Sequence, residues 1–168
     1  KLFDIPNTAK SALQGILNLK PEFTTLHISG GSEMIRDCVN IKNSNQSKTN
    51  LIGVTVLTSF DEVRIKEVGI HNSINDQVLI LAKLANENNL DGIVCSPQEI
   101  KRIKQETENK LKLIVPGIRN IDDDTNDQKR TMNASEAINA GADILVIGRP
   151  ITMANDPAEA AYKIFKSL

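Results

Sequence analysis

The chain has 168 residues, 40% of them hydrophobic, and a net charge of −1 from 20 basic and 21 acidic side chains. That length supports one domain with a real core, and the balanced charge argues against an electrostatic grip on nucleic acid or a membrane surface. Aromatics make up 3% and Trp is absent, which argues against base-stacking platforms. Two cysteines, Cys38 and Cys95, stand far apart, with only His27 and His71 available as nitrogen ligands. They read as free buried thiols in a reducing, cytoplasmic compartment rather than as a metal site. The sequence has no run of about 18 apolar residues and no signal-peptide pattern at its start.

In chain order, residues 1–8 (K-L-F-D-I-P-N-T) read as the end of a strand running into a charged loop. Pro6 biases Ile5 toward extended geometry, and Asn7 and Thr8 are placed to cap the helix that follows. Ala9, Leu13, Ile16 and Leu17 fall on one face of that helix, which Lys20-Pro21 closes. Residues 23–28 form a β-branched strand closed by Ser29-Gly30-Gly31. A helix from Ser32 then turns Met34, Ile35, Cys38 and Val39 inward. Residues 42–50 read as a polar loop, and residues 51–57 as a strand buried on both faces. Ser59 and Glu62 have capping-box spacing for a short helix ending near Gly69, and Ile74, Val78, Leu81 and Leu84 mark a longer one. Residues 91–96 and 113–119 are further strands, with a helix opening at Pro97 between them. Asn133 and Glu136 have cap spacing for a helix that Gly141 stops. Residues 143–150 are the last strand, and Asp156 with Pro157 begins a final helix.

This alternation of five complete strands and helices after an opening stub describes βαβ units and a parallel sheet in one domain spanning residues 1–168. In such folds functional groups gather where strands end. Those ends carry Lys1 and Asp4, His27 with Ser29-Gly30-Gly31, Thr58-Ser59, Ser96, Pro116-Gly117 with Arg119, and Gly148-Arg149. The last two groups suit an anion, because glycine lets backbone N–H groups approach and arginine pairs bidentately. Most of these groups also have a plain structural reading: a tight turn for Gly148, a solvated charge for Arg149, a turn residue for Arg119, a hydrogen-bonded strand end for His27, a helix cap for Thr58-Ser59.

Taken together and in order, the motifs K-L-F-D-I-P-N-T (1–8), H-I-S-G-G (27–31), V-T-V-L-T-S (54–59), D-G-I-V-C-S (91–96), L-I-V-P-G-I-R (113–119), D-Q-K-R (127–130) and G-A-D-I-L-V-I-G-R-P-I-T (141–152) resemble bacterial-type orotidine 5′-phosphate decarboxylase over the whole chain. The resemblance implies the (β/α)8 TIM-barrel family, here as a partial barrel of about five parallel strands plus the end of a sixth. It also implies a homodimer acting without cofactor on a small-molecule substrate in pyrimidine biosynthesis, with orotidine 5′-phosphate as substrate and uridine 5′-phosphate as product. By the same resemblance Lys1 is the lysine that protonates C6 of the pyrimidine. Asp4 and Thr8 reach into the partner's site, Thr58 and Pro116 line the pyrimidine pocket, and Arg119, Gln128, Gly148 and Arg149 hold the phosphate under the loop 120–130. The family's aspartate two residues before the lysine has no counterpart in this sequence, nor do the first two βα units. The expectation is therefore a C-terminal portion of the enzyme with little turnover by itself. Two alternatives accompany it. One is an inactive remnant that binds nucleotide monophosphate or only dimerises. The other is a Mg²⁺-dependent keto-gulonate-phosphate decarboxylase or hexulose-phosphate synthase.

Overall fold

The computed structural model describes residues 1–119 and 131–168. Its centre is a parallel sheet of β1 (Phe23–His27), β2 (Asn50–Val54), β3 (Gly92–Val94), β4 (Lys112–Val115) and β5 (Ile144–Leu145), in the spatial order β1-β2-β3-β4-β5. Strands that follow one another in sequence are neighbours in space throughout. With right-handed crossovers, that order keeps the connecting helices on one face, which is the winding of a barrel rather than of a doubly wound sheet. The expected opening stub is present as a single parallel bridge between Leu2 and Leu26. It is fixed by the Leu2 N–H to the Thr25 carbonyl (2.9 Å) and the His27 N–H to the Leu2 carbonyl (2.8 Å).

The pleat divides the strands into two sets of side chains. Leu26, Leu51, Ile93, Leu113 and Val115 enter the main hydrophobic core. They meet Ala9, Leu13 and Leu17 of α1 (Pro6–Leu17), Met34, Ile35 and Cys38 of α2 (Gly31–Ser44), and the buried stripe of α4 (Ile74–Glu87). The alternate positions Ile52, Val54 and Ile114 are buried as well, on the opposite face. His27, Val54, Val94, Ile114 and Ile144 follow one another across the sheet in register, so they form one row of that inner face. Burying a Leu or Ile fully stabilises by roughly 1.5–3 kcal/mol relative to exposure, and this layer carries most of the fold's apolar burial. Both cysteines are buried thiols that form no disulfide with each other. Burial, with Asp37 nearby, pushes the Cys38 thiol up to about 11.

Several helix ends follow the local chemistry. Asn133 accepts the Glu136 N–H (2.8 Å) to open α6 (Ala134–Ala140), and Gly141 closes it in the left-handed region at φ 111°. Asp156 accepts the Glu159 N–H (2.9 Å) ahead of Pro157 at the start of α8 (Pro157–Lys166). Ser73 caps α4 through the Asp76 N–H.

Elsewhere the structure corrects the sequence reading. Pro6 is itself the first residue of α1 and Ile5 is its N-cap, so Asn7 and Thr8 lie inside the helix and cap nothing. The helix ends at Leu17, before Lys20-Pro21, and α2 runs through Ser44 into the expected loop. Asp61, rather than Ser59, receives the N–H groups of Val63 and Arg64 ahead of α3 (Arg64–Glu67). Glu62 instead accepts the Ile74 N–H. The strands are shorter than expected: β2 stops at Val54, β4 at Val115 and β5 at Leu145. The residues after β5 turn into α7 (Arg149–Thr152). Pro97 opens a 3₁₀ turn that leads into α5 (Ile100–Glu106), and the Glu99 carboxylate holds the Ser96 N–H at 2.7 Å.

Candidate active site

The strand exits place most of the sequence-derived residues on one rim. Leu2 pairs with Leu26 and packs on the core, so by the pleat Lys1 and Phe3 share the inner face with Thr25 and His27. Phe3 lies against the His27 ring, centroids 5.4 Å apart and planes tilted by 41°. Burial first, and then the Lys1 charge, hold the imidazole below the usual histidine range. His27 is therefore the neutral neighbour of Lys1. The Asp4 carboxylate accepts the Ile5 N–H (2.7 Å), which fixes the turn into α1. Lys1, Asp4 and Thr8 are all exposed.

Beside this segment the exits of β1 and β2 enclose a cleft of about 320 Å³ whose walls include Phe3, His27, Thr55, Leu57 and Phe60. The buried Thr55 hydroxyl donates to the Val94 carbonyl (2.7 Å), which ties the β2 exit to β3. Thr58, half-buried, follows three residues later. Phe3 and Thr55 were not singled out from the sequence. Phe3 lies within the K-L-F-D motif, but nothing in its spacing showed that it would meet His27.

On the other flank, β4 and β5 are hydrogen-bonded neighbours, so Pro116–Arg119 and Gly148–Arg149 leave the sheet side by side. The Val146 N–H to the Val115 carbonyl (2.9 Å) extends that pairing. Gly117, at φ 79°, turns the chain so that Ile118 bridges Met132, and the Arg119 N–H reaches the Met132 carbonyl (3.0 Å). Arg119 is 8% exposed. One of its terminal nitrogens donates to the Ile118 carbonyl (2.6 Å), its Nε has no hydrogen-bond partner, and no carboxylate pairs with it among the described residues. A buried cation with donors to spare is an anion site in chemical terms, because its desolvation is otherwise uncompensated. A Cβ added at Gly148 would meet no atom of the described residues within 4 Å. The glycine there leaves open space in front of the backbone and is not required by packing. Arg149 follows as the first residue of α7. Gln128 and the loop 120–130 lie outside the described residues.

The lysine segment sits beyond β1 and the arginines at β4 and β5, on opposite flanks of the sheet. Coiling of a parallel sheet about a barrel axis is the geometry that turns such flanks toward one mouth.

Comparison with known proteins agrees with this layout. The model of the "Orotidine 5'-phosphate decarboxylase / HUMPS family" matches residues 1–164. The orotidine 5′-phosphate decarboxylase of Ehrlichia chaffeensis is 48% identical over 169 residues, covering 100% of this chain and 72% of that protein. The enzyme of the same name from Dictyoglomus thermophilum is 46% identical over 170 residues, covering 98% and 70%. The crystal structure of orotidine 5′-phosphate decarboxylase from Lactobacillus acidophilus superposes with a TM-score of 0.84 at 34% identity, over 99% of this chain and 72% of that one. The chain thus belongs to the orotidine 5′-phosphate decarboxylase / HUMPS family, with the barrel-type fold its motifs led one to expect.

Proposed function

We propose that residues 1–168 form one domain that decarboxylates orotidine 5′-phosphate to uridine 5′-phosphate, with Lys1, Asp4, Thr8, Thr58, Pro116, Arg119, Gln128, Gly148 and Arg149 as its site. The observation that carries the reading is Arg119, a buried guanidinium without a carboxylate partner among the described residues, next to the open backbone at Gly148. A phosphate there supplies the missing counter-charge. Its grip provides binding energy that can be realised in the transition state at the pyrimidine, remote from the phosphate.

At the other flank the bond from C6 to the carboxylate carbon breaks, carbon dioxide leaves, and the electron pair stays on C6. That vinyl carbanion is very unstable in water, so a cation already in place beside it lowers the barrier most. The Lys1 ammonium fills that role and then gives C6 its proton. Neutral His27 beside it adds no competing charge. Thr58 and Pro116 border the pyrimidine. Asp4 and Thr8, both exposed, act across a homodimer interface in the partner's site. The reaction needs no metal or organic cofactor, and the proposed location is the cytoplasm. No helix among the described residues is long and apolar enough to cross a membrane.

The test is decarboxylation of orotidine 5′-phosphate by the purified protein, with and without chelator, alongside titration with uridine 5′-phosphate. Chelator-insensitive turnover that Lys1→Ala abolishes supports the reading. Binding without turnover assigns a nucleotide-binding protein instead, and neither binding nor turnover removes the proposal.

A further inference from the structure

At the N-terminal ends of the strands one arrangement occurs twice. Asp91, just before β3, donates its backbone N–H to the Leu51 carbonyl of β2 (3.1 Å) and accepts the Leu51 N–H on its carboxylate (2.7 Å). Asp143, just before β5, does the same with Leu113 of β4, at 3.0 Å and 2.8 Å. Each carboxylate also holds a lysine from the helix preceding the earlier strand. Lys42 of α2 reaches Asp91 at 2.7 and 2.5 Å, and Lys104 of α5 reaches Asp143 at 3.0 Å. The spacing repeats as well: Lys42 to Leu51 is nine residues (51 − 42), Lys104 to Leu113 is nine (113 − 104), and an isoleucine precedes each lysine. The β1–β2 and β3–β4 pairs carry no such carboxylate among the described residues.

We propose that Asp91 and Asp143 are register clamps, each locking one helix–strand–helix–strand unit so that β2–β3 and β4–β5 open and close as separate pairs. The geometry supplies the reason. A strand slipped by one residue moves every side chain to the other face. The first N–H groups of a strand are where such a slip starts, because little lies beyond them to hold register. A carboxylate accepting that N–H while its own N–H returns to the same residue closes a ring that only one register satisfies. The lysine neutralises the carboxylate in this half-exposed position and ties the helix into the ring. The clamped strands are those whose far ends carry Thr58 and Pro116 to Arg119, so the register set at one end fixes the height of those groups at the other.

The test is amide hydrogen exchange read residue by residue by NMR. In Asp91→Ala the Leu51 amide exchanges at least about tenfold faster while Leu113 changes less than about twofold, and Asp143→Ala gives the reverse pattern. Asp91→Asn keeps an accepting oxygen, and Lys42→Met keeps the carboxylate, so both leave Leu51 within about threefold of wild type. Should the alanine variants not fold, the wild-type protein still decides. A through-hydrogen-bond coupling from the Leu51 nitrogen to the Asp91 carboxyl carbon, and its counterpart at Leu113 and Asp143, is expected. Absence of both couplings overturns the proposal, as does unchanged Leu51 exchange in folded Asp91→Ala, or equal response of both amides to either substitution.

Discussion

At the N-terminal ends of β3 and β5 charge is answered by charge. Lys42 and Lys104 meet carboxylates, and those carboxylates also satisfy strand N–H groups. At the C-terminal ends the pattern inverts: Arg119 is buried with its Nε unanswered, His27 rests on a phenyl ring, and Gly148 faces open space. The same sheet thus spends its polar groups on stability at one end and holds them ready for a ligand at the other. A barrel-type fold that binds at its strand exits requires this division.

The difference can be attacked first at the lysine. Lys1→Ala is expected to lower kcat by at least about 10³-fold, since it removes both the preorganised cation and the proton donor, and to leave affinity for uridine 5′-phosphate within about threefold. Steady-state kinetics and calorimetric titration check the two halves separately. Next comes Arg119→Met, which should weaken uridine 5′-phosphate binding by about 100-fold. The ligand-free variant should melt at or above the wild-type temperature, because a buried charge with no carboxylate partner among the described residues has been taken away. A ligand-free protein that melts lower would mean Arg119 is structural, and the contrast between the two ends would collapse. A paired cap serves as the control. Ser73→Ala is expected to cost about 1 kcal/mol in urea unfolding with kinetics unchanged.

The smallest expected effect concerns pH. The folded chain holds His27 below its ordinary value of 6.5, so the unfolded state takes up a proton that the folded state resists. The stability tied to this group is complete above that value and declines as pH falls through it toward the lower folded value. His27→Asn should flatten part of the decline between pH 7 and 5 in urea titrations. An unchanged slope would show that the imidazole is solvated like any surface histidine.

How much of this could be read in the sequence depended on range. Strand and helix order, the caps at Asn133 and Asp156 and the stop at Gly141 were legible, because each is settled within a few residues. The Ser59 cap failed within the same range because Asp61, two residues on, offers a carboxylate to the same turn. Pro6 does hold Ile5 extended, as read, but its fixed φ also begins the helix, so the cap expected at Asn7 and Thr8 falls to Ile5. At the site, the motifs picked out Arg119 but could not show that it is buried, since that depends on Met132 pairing beyond the loop 120–130. Nor could spacing reveal that Leu51 meets Asp91, 40 residues later (91 − 51). Contacts closed over such distances are set by the packing of whole units, and no local pattern encodes them.

The strictly sequential strand order has a consequence for how the chain is made. Each strand's hydrogen-bonding partner on one side has already left the ribosome when that strand emerges, because β2 needs only β1, β3 only β2, and so on to β5. Folding can therefore keep pace with synthesis, with every new βα unit settling on an edge already in place. None of these five strands has to wait for a distant segment before it finds a neighbour.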